Sequence, residues 1–251
     1  TATVLMGVPT FYTRLLTADG LAQAATNMRL FISGSAPLLA STHQNWHSRT
    51  GHTILERYGM TETNMNTSNP YNGDRRAGTV GLPLAGVELR LDAPEGEVGG
   101  IEVRGNNLFS GYWNMPEKTA EELRPDGWFI TGDLGQIDED GYVTIVGRGK
   151  DMIISGGFNI YPKEVEEIID AIPQVQESAV IGVPDDDLGE RVVAVVVLQS
   201  DTNKAAIIEA ASQKLAGYKC PRDIDFVEAL PRNSMGKVQK NELRKRLENK
   251  G

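Results

Sequence analysis

Leu30-Phe31-Ile32-Ser33, followed by Gly34-Ser35-Ala36-Pro37, then a helical stretch to about Arg49, then Thr53-Ile54-Leu55-Glu56-Arg57-Tyr58: the reading of this succession decides the fold. The first four residues form a short apolar run bounded by small turn-forming residues, which is the pattern of a buried strand. Thr53 to Tyr58 reads as another strand. Upstream, Thr3-Val4-Leu5-Met6-Gly7-Val8 reads as a third, and Pro9-Thr10 opens a helix over Phe11 to Leu16, with proline at a helix start, where its missing N–H costs little. Strand, helix, strand in repeated order predicts a parallel α/β unit.

From about Gly78 to Val146 the character changes. Glu88-Leu89-Arg90-Leu91 and Gly100-Ile101-Glu102-Val103-Arg104 alternate polar with apolar, and Asp126-Gly127 and Asp140-Gly141 punctuate the runs. That predicts antiparallel β structure with one solvated face. After Gly147-Arg148-Gly149-Lys150-Asp151 a third section begins. Strands are expected at Met152 to Ile154, Val175 to Val183, Arg191 to Leu198 and Ile224 to Val227. Helices are expected from Pro162 to about Ile172, Lys204 to Leu215 and Gln239 to Leu247. This is a small α+β domain, and the expected division of the chain is 1–147 and 148–251.

The chain has 251 residues, 40% hydrophobic and 24% charged, enough for a real core. No apolar run approaches the roughly 18 residues of a membrane helix, and Thr1 to Pro9 lack the basic start of a secretory signal. Cys220 is the single cysteine, so neither a disulfide framework nor a cysteine metal cluster can form, and a cytoplasmic setting is expected. A net charge of −9 argues against a nucleic-acid partner, which calls for clustered Lys and Arg.

Four segments carry chemistry. In Tyr58-Gly59-Met60-Thr61-Glu62-Thr63, at the C-terminal end of an expected strand, a ring can stack on a heterocycle, a hydroxyl can hold a phosphate and a carboxylate can hold Mg²⁺. In Trp128-Phe129-Ile130-Thr131-Gly132-Asp133, an aspartate after a glycine turn can accept both hydroxyls of a ribose. Gly147 to Asp151, followed by Ser155-Gly156-Gly157-Phe158, has the glycines of a hinge. In Pro231-Arg232-Asn233-Ser234-Met235-Gly236-Lys237, the glycine lets Lys237 swing toward charge developing on a phosphoryl group. Taken singly, each also reads as ordinary surface: a polar loop, an Asp turn, a linker and a surface lysine. His43 and His47 lie four apart on an expected helix, but with no third ligand they read as a solvent face, and Asp185-Asp186-Asp187 reads as a solvated turn.

In this order and spacing, Tyr-Gly-x-Thr-Glu, Thr-Gly-Asp, Gly-Arg-x-Lys-Asp and a late Gly-Lys resemble the adenylate-forming superfamily of acyl-CoA synthetases, peptide-synthetase adenylation domains and luciferases. The resemblance covers essentially the whole chain. Met6 to Tyr12, Phe31 to Leu38 and Glu56 to Ser68 are most similar to the malonyl-CoA synthetases within it. The family's Ser/Thr/Gly-rich phosphate loop is absent, so the resemblance implies that residues 1–147 are the C-terminal part of the large AMP-binding domain and 148–251 the mobile small domain.

It further implies a ligase that forms an acyl-adenylate from a carboxylate and ATP, then an acyl-CoA, with ATP, Mg²⁺ and CoA as cofactors. Lys237, Thr61 and Glu62 would be catalytic, with Glu62 on Mg²⁺. Gly34, Ser35, Ala36, Tyr58, Thr61, Asp133 and Arg148 would hold the nucleotide. Ser33 and Met60 would line the acyl pocket, Gly156 and Gly157 the pantetheine path, and Lys150 would be the hinge. A second carboxylate on the substrate calls for fixed donors or a guanidinium, which can also come from the upstream part of the family's large domain. Arg57 should face away from Tyr58 on the strand, which leaves Arg14 as the weak candidate. The alternatives are a short- or medium-chain acyl-CoA synthetase and an inactive nucleotide-binding module.

Overall fold

The computed structural model describes residues 2–234 and 236–248; Thr1, Met235 and the last three residues of the second expected domain lie outside them. The chain divides into two compact units, Thr1–Ile145 and Val146–Gly251.

The first unit opens with β1 (Val4–Gly7), α1 (Pro9–Leu15), α2 (Leu21–Ala25), β2 (Leu30–Ser33), α3 (Ala40–Thr50) and β3 (Leu55–Met60). β2 runs parallel to both β1 and β3, with Gly7 opposite Ser33 and Ser33 opposite Glu56. Every residue of β2 is buried, as expected for the middle strand of a parallel sheet covered on its faces. Its core is aromatic: Trp46 of α3 meets Tyr12 of α1 edge-on at 4.9 Å and Phe31 of β2 at 5.0 Å. The Tyr12 hydroxyl donates to the Ile32 carbonyl at 2.6 Å. Gly51, left-handed at φ 74°, closes α3 with its amide on the His47 carbonyl.

At Thr61-Glu62-Thr63 the chain reverses. β4 (Asn64–Ser68) pairs antiparallel with β3, and β5 (Leu82–Pro83) with β4, completing a five-stranded sheet in the order β1-β2-β3-β4-β5. A four-stranded antiparallel sheet follows from β6 (Val87–Asp92), β7 (Gly99–Gly105), β8 (Phe129–Ile137) and β9 (Val143–Arg148), with α4 (Pro116–Glu122) between β7 and β8.

The second unit contains β10 (Ile153–Ser155), β11 (Phe158–Ile160), α5 (Pro162–Asp170), β12 (Val175–Asp185), β13 (Gly189–Leu198), α6 (Lys204–Ser212), β14 (Asp223–Phe226) and α7 (Lys240–Glu248). Its sheet has the order β11-β10-β13-β12, with β14 parallel to β13. β12 and β13 bury both faces. Val180, Val192 and Ala194 pack with Val165, Ile169 and Ile207 of α5 and α6. Ala179, Ile181, Val193 and Val195 pack on the other face with Leu243 of α7.

The parallel unit, the antiparallel section and the small α+β section are all present as expected. Four elements have no counterpart in the expectations: α2, β4, α4 and β11. α4 buries none of its residues, so it carries no apolar period. The strand expected over Thr53 to Tyr58 lies two residues later. The Thr53 carbonyl is taken by Arg75 Nη1 at 2.7 Å, whereas Gly59 and Met60 gain partners in β4. His43 does not face solvent: it is 5% exposed, with Nε2 3.1 Å from the Ile54 carbonyl, and burial holds its pKa below the usual imidazole value. His47 is exposed, as expected.

Candidate active site

In the first unit the candidate residues collect around the end of β3. Gly59 is forced by close approach, because a Cβ there would stand 1.9 Å from the Asn64 carbonyl oxygen on β4. The β3–β4 register shifts at this point, between Tyr58 and Gly59, and the irregularity re-aims the chain into the Thr61-Glu62-Thr63 turn. Thr61 is exposed and Glu62 half-buried. The Glu62 carboxylate accepts the Tyr112 hydroxyl at 3.1 Å, and its carbonyl accepts the Phe109 amide at 2.8 Å. The single hydrogen of the Tyr112 hydroxyl is shared with Glu122, the nearer acceptor at 2.6 Å. Burial and the two carboxylates together push the Tyr112 phenol above its usual pKa, so it stays a donor.

Asn107 locks the same turn. Its side-chain amide donates to the Thr63 carbonyl at 2.7 Å and to Asn66 Oδ1 at 3.2 Å, and its own carbonyl accepts Asn64 Nδ2 at 3.2 Å. Asn64 is left-handed at φ 52°, a conformation asparagine tolerates.

The structure brings Tyr58 and Asp133 together. The tyrosine hydroxyl donates to Asp133 Oδ2 at 2.6 Å, and both side chains are buried. The Tyr58 ring packs with Val80, Ile101 and Val143. The Asp133 amide is turned by Thr131 Oγ1 at 3.1 Å, and Gly132, at φ 72°, supplies the bend.

Gly34, Ser35 and Ala36 follow β2. Ser35 is left-handed at φ 68°, and the Leu38 amide donates to Glu56 Oε1 at 3.1 Å, tying this loop to β3. Ser33, at the end of β2, is fully buried, and its Oγ has no hydrogen-bond partner among the described residues. Met60 is half-buried. Arg57 does face away from Tyr58, toward Met6, and Arg14 is exposed on α1.

In the second unit Arg148 is exposed, and Gly149–Asp151 form a single 3₁₀ turn containing the exposed Lys150. Asp151 is held by Arg244 of α7 at 2.9 Å. Gly156 and Gly157, at φ 57° and 81°, form the two-residue turn between β10 and β11, which requires left-handed backbone at both positions. Lys237 is exposed; its amide donates to Asn233 Oδ1 at 2.9 Å and its carbonyl accepts the Asn233 amide at 2.9 Å.

The oxygen donors suit a hard divalent cation. Mg²⁺ is commonly held by one or two carboxylates plus substrate phosphates, and Glu62, steadied by Tyr112, provides one carboxylate. Among the described residues there is no cluster of three or more metal-ligating side chains. No described helix is long and apolar enough to cross a membrane. Residues the sequence reading did not single out are Tyr112, Asn107 and Glu122. Tyr112 and Asn107 reach the Glu62 turn across long sequence gaps, Glu122 acts on it only through Tyr112, and only the Asn106-Asn107 pair after a strand gave any local sign.

Comparison with known proteins gives the same direction. The AMP-binding enzyme family matches residues 1–113, and the AMP-binding enzyme C-terminal domain matches residues 164–237. A malonate–CoA ligase of Arabidopsis thaliana is 44% identical over 98% of this chain and 45% of its own length. A long-chain-fatty-acid–CoA ligase of Yersinia pestis is 38% identical over 96% of this chain and 44% of its own. ATP-bound MatB from Rhodopseudomonas palustris superposes with a TM-score of 0.96 at 59% identity, over 99% of this chain and 51% of that one. The chain therefore spans about half the length of the relatives it matches.

Proposed function

The chain belongs to the AMP-binding, adenylate-forming enzymes, and on that premise we propose that it carries the nucleotide-binding end of an ATP-dependent acid–thiol ligase whose acid is malonate. The reaction joins a carboxylate to ATP as an acyl-adenylate with release of pyrophosphate, and a CoA thiol then displaces AMP. We place the enzyme in the cytoplasm.

The first unit contributes binding. Asp133, its carboxylate oriented by Tyr58, accepts ribose hydroxyls. Gly34, Ser35 and Ala36 border the adenine, and the Thr61 hydroxyl meets phosphate. Glu62 would hold Mg²⁺, which when bound neutralises phosphate charge; Tyr112 keeps that carboxylate aimed. The second unit contributes Arg148 to the ribose and Lys237 to charge building on the α-phosphate and the acid. A transition-state donor of this kind is worth about 3–4 kcal/mol. Gly156 and Gly157 leave room for the narrow pantetheine arm, and Lys150 is the pivot between the two half-reactions.

Similarity to malonate–CoA ligases carries the substrate assignment. Ser33 and Met60, at the ends of β2 and β3, are the residues placed at the acyl pocket. The 44% identity to a plant malonate–CoA ligase supports this acid, and the 59% identity to ATP-bound MatB supports the nucleotide. The similarity to a long-chain-fatty-acid–CoA ligase, together with the half-buried Met60, favours the second reading, a ligase for longer acids.

The test is pyrophosphate release by the full-length protein with malonate, methylmalonate, acetate and octanoate. Malonate should lead acetate by orders of magnitude in kcat/KM, since unpaired polar groups discriminate by up to about 10⁴. Octanoate outperforming malonate would overturn the assignment. Lys237→Ala should abolish pyrophosphate release yet leave AMP release from pre-made malonyl-adenylate and CoA largely intact.

A further inference from the structure

Lys237 has a long side chain on an exposed loop, so the position of its ammonium depends on how firmly the backbone beneath it is held. The loop closes on itself. Arg232 and Val238 form an isolated antiparallel bridge, the Gln239 amide donates to the Pro231 carbonyl at 2.8 Å, and the Gly236 amide donates to the Asn233 carbonyl at 2.9 Å. These bonds join the two arms of the loop, which still has to be fixed to the domain.

Two ion pairs provide the attachment, one on each side of Lys237. On the N-terminal side the Arg232 guanidinium is forked. Nη1 donates to the Gly236 carbonyl at 2.7 Å, which is the peptide leading directly into Lys237, while Nη2 pairs with Glu177 on β12. On the C-terminal side Lys240, the first residue of α7, pairs with Glu166 of α5 at 2.6 Å. The same Glu166 oxygen accepts the Val180 amide of β12 at 2.8 Å. The Lys240–Glu166 pair is the more withdrawn from water, its side chains 17% and 19% exposed, while Arg232 and Glu177 are partly exposed at 30% and 29%.

We propose that Arg232, braced by Glu177, is a positioning residue for the adenylation step, gripping the Gly236–Lys237 peptide so that Lys237 is presented at a fixed point above β12, with Lys240–Glu166 as the second anchor. The proposal rests on the reading of Lys237 as the adenylation lysine. An arginine is required because one planar fork reaches a carboxylate and a carbonyl together, which an ammonium does not reproduce. A displacement of about 1 Å at a reacting group can cost about 10²-fold in rate.

The experiment uses the full-length protein with malonate and ATP, and separately pre-made malonyl-adenylate and CoA. Arg232→Gln should lower kcat for adenylation about 30-fold, with KM for ATP and malonate within about threefold of the parent and the thioester step within about twofold. Glu177→Gln should show the same pattern at about tenfold. The double variant should fall no further than Arg232→Gln alone, because both act through one contact. Arg232→Lys should stay close to Arg232→Gln, because an ammonium does not reproduce the fork. If Arg232→Gln does not fold, Glu177→Gln carries the test, since it leaves the guanidinium on the Gly236 carbonyl. Adenylation within threefold of the parent in both variants would overturn the proposal, as would equal losses in both half-reactions or a change confined to KM. Parent protein and Lys237→Ala are run alongside. An inactive parent, or an active Lys237→Ala, refutes the functional reading; an active parent with an inactive Lys237→Ala and an unaffected Arg232→Gln refutes the positioning role alone.

Discussion

Replacing Gly59 with alanine adds one methyl group where there is no space for it. The new Cβ would stand 1.9 Å from the Asn64 carbonyl oxygen, 2.9 Å from the carbon of that carbonyl and 3.0 Å from Met65 Cα. All three are backbone atoms of the paired strand, so no rotamer change relieves the clash. Bringing the first contact to an acceptable separation means parting β3 from β4 by roughly 1 Å at the point where the chain turns into Thr61 and Glu62. Overpacking of this kind costs about 1–3 kcal/mol in stability. A 1 Å error in a catalytic group costs about 10²-fold in rate, so activity should fall further than stability. The assay is pyrophosphate release with ATP and malonate by the full-length protein, with thermal unfolding in parallel. Gly100→Ala in β7 is the control, because its Cβ would meet only Asp92 Cβ at 3.9 Å. A Gly59→Ala protein that keeps a third or more of the parent kcat/KM at an unchanged Tm would refute the argument that this glycine sets the position of Thr61 and Glu62.

Tyr112→Phe removes the hydroxyl shared by Glu62 and Glu122, while Glu122 keeps Lys118 at 2.5 Å. Losing a hydrogen bond to a charged group is worth about 1.5–3 kcal/mol, so the Mg²⁺ concentration for half-maximal adenylation should rise about tenfold; an unchanged Mg²⁺ requirement would count against the role given to Tyr112. Asp170 gives a pH signature in the second unit. Burial raises its pKa to about 7 against hydrogen bonding from Ser178, with the Glu166 and Glu177 charges adding to the rise. The folded state therefore holds a proton that the unfolded state, near pKa 4, has released, and stability falls as pH rises from about 4 to about 7. Asp170→Asn removes that loss, so its Tm relative to the parent should climb by several degrees between pH 5 and pH 8, and a difference that stays flat or declines would show that the carboxyl titrates elsewhere.

What was legible in the sequence was local. β2 announced itself as an uninterrupted apolar run because it is buried on both faces, whereas Gly156-Gly157, read as part of a hinge segment, is the tight turn between β10 and β11. The end of β3 was placed correctly as the home of Thr61 and Glu62, but the strand was set two residues early. Its last two residues are extended only because β4 pairs with them, and β4, reading Asn-Met-Asn-Thr-Ser, has none of the β-branched alternation that marks a strand. Tyr112 and Asn107 escaped notice for a related reason: each completes the Glu62 turn from more than forty positions away. α4 presents no buried face, so no period could reveal it.

β12 is eleven residues long and forms the outer edge of its sheet, pairing with β13 alone among the described strands. A bare edge of that length is an open template for another chain. Here it is occupied from within. Pro184 offers no amide, Glu166 takes the Val180 amide, and the Glu177–Arg232 pair lays a charged side chain beside the strand. The contacts that fasten the Lys237 loop thus also keep this edge from recruiting a neighbour. Selection for solubility and selection for placement of the lysine then act on the same few residues, so a variant loosened at Glu166 or Glu177 loses protection against strand-to-strand aggregation together with its grip on the loop.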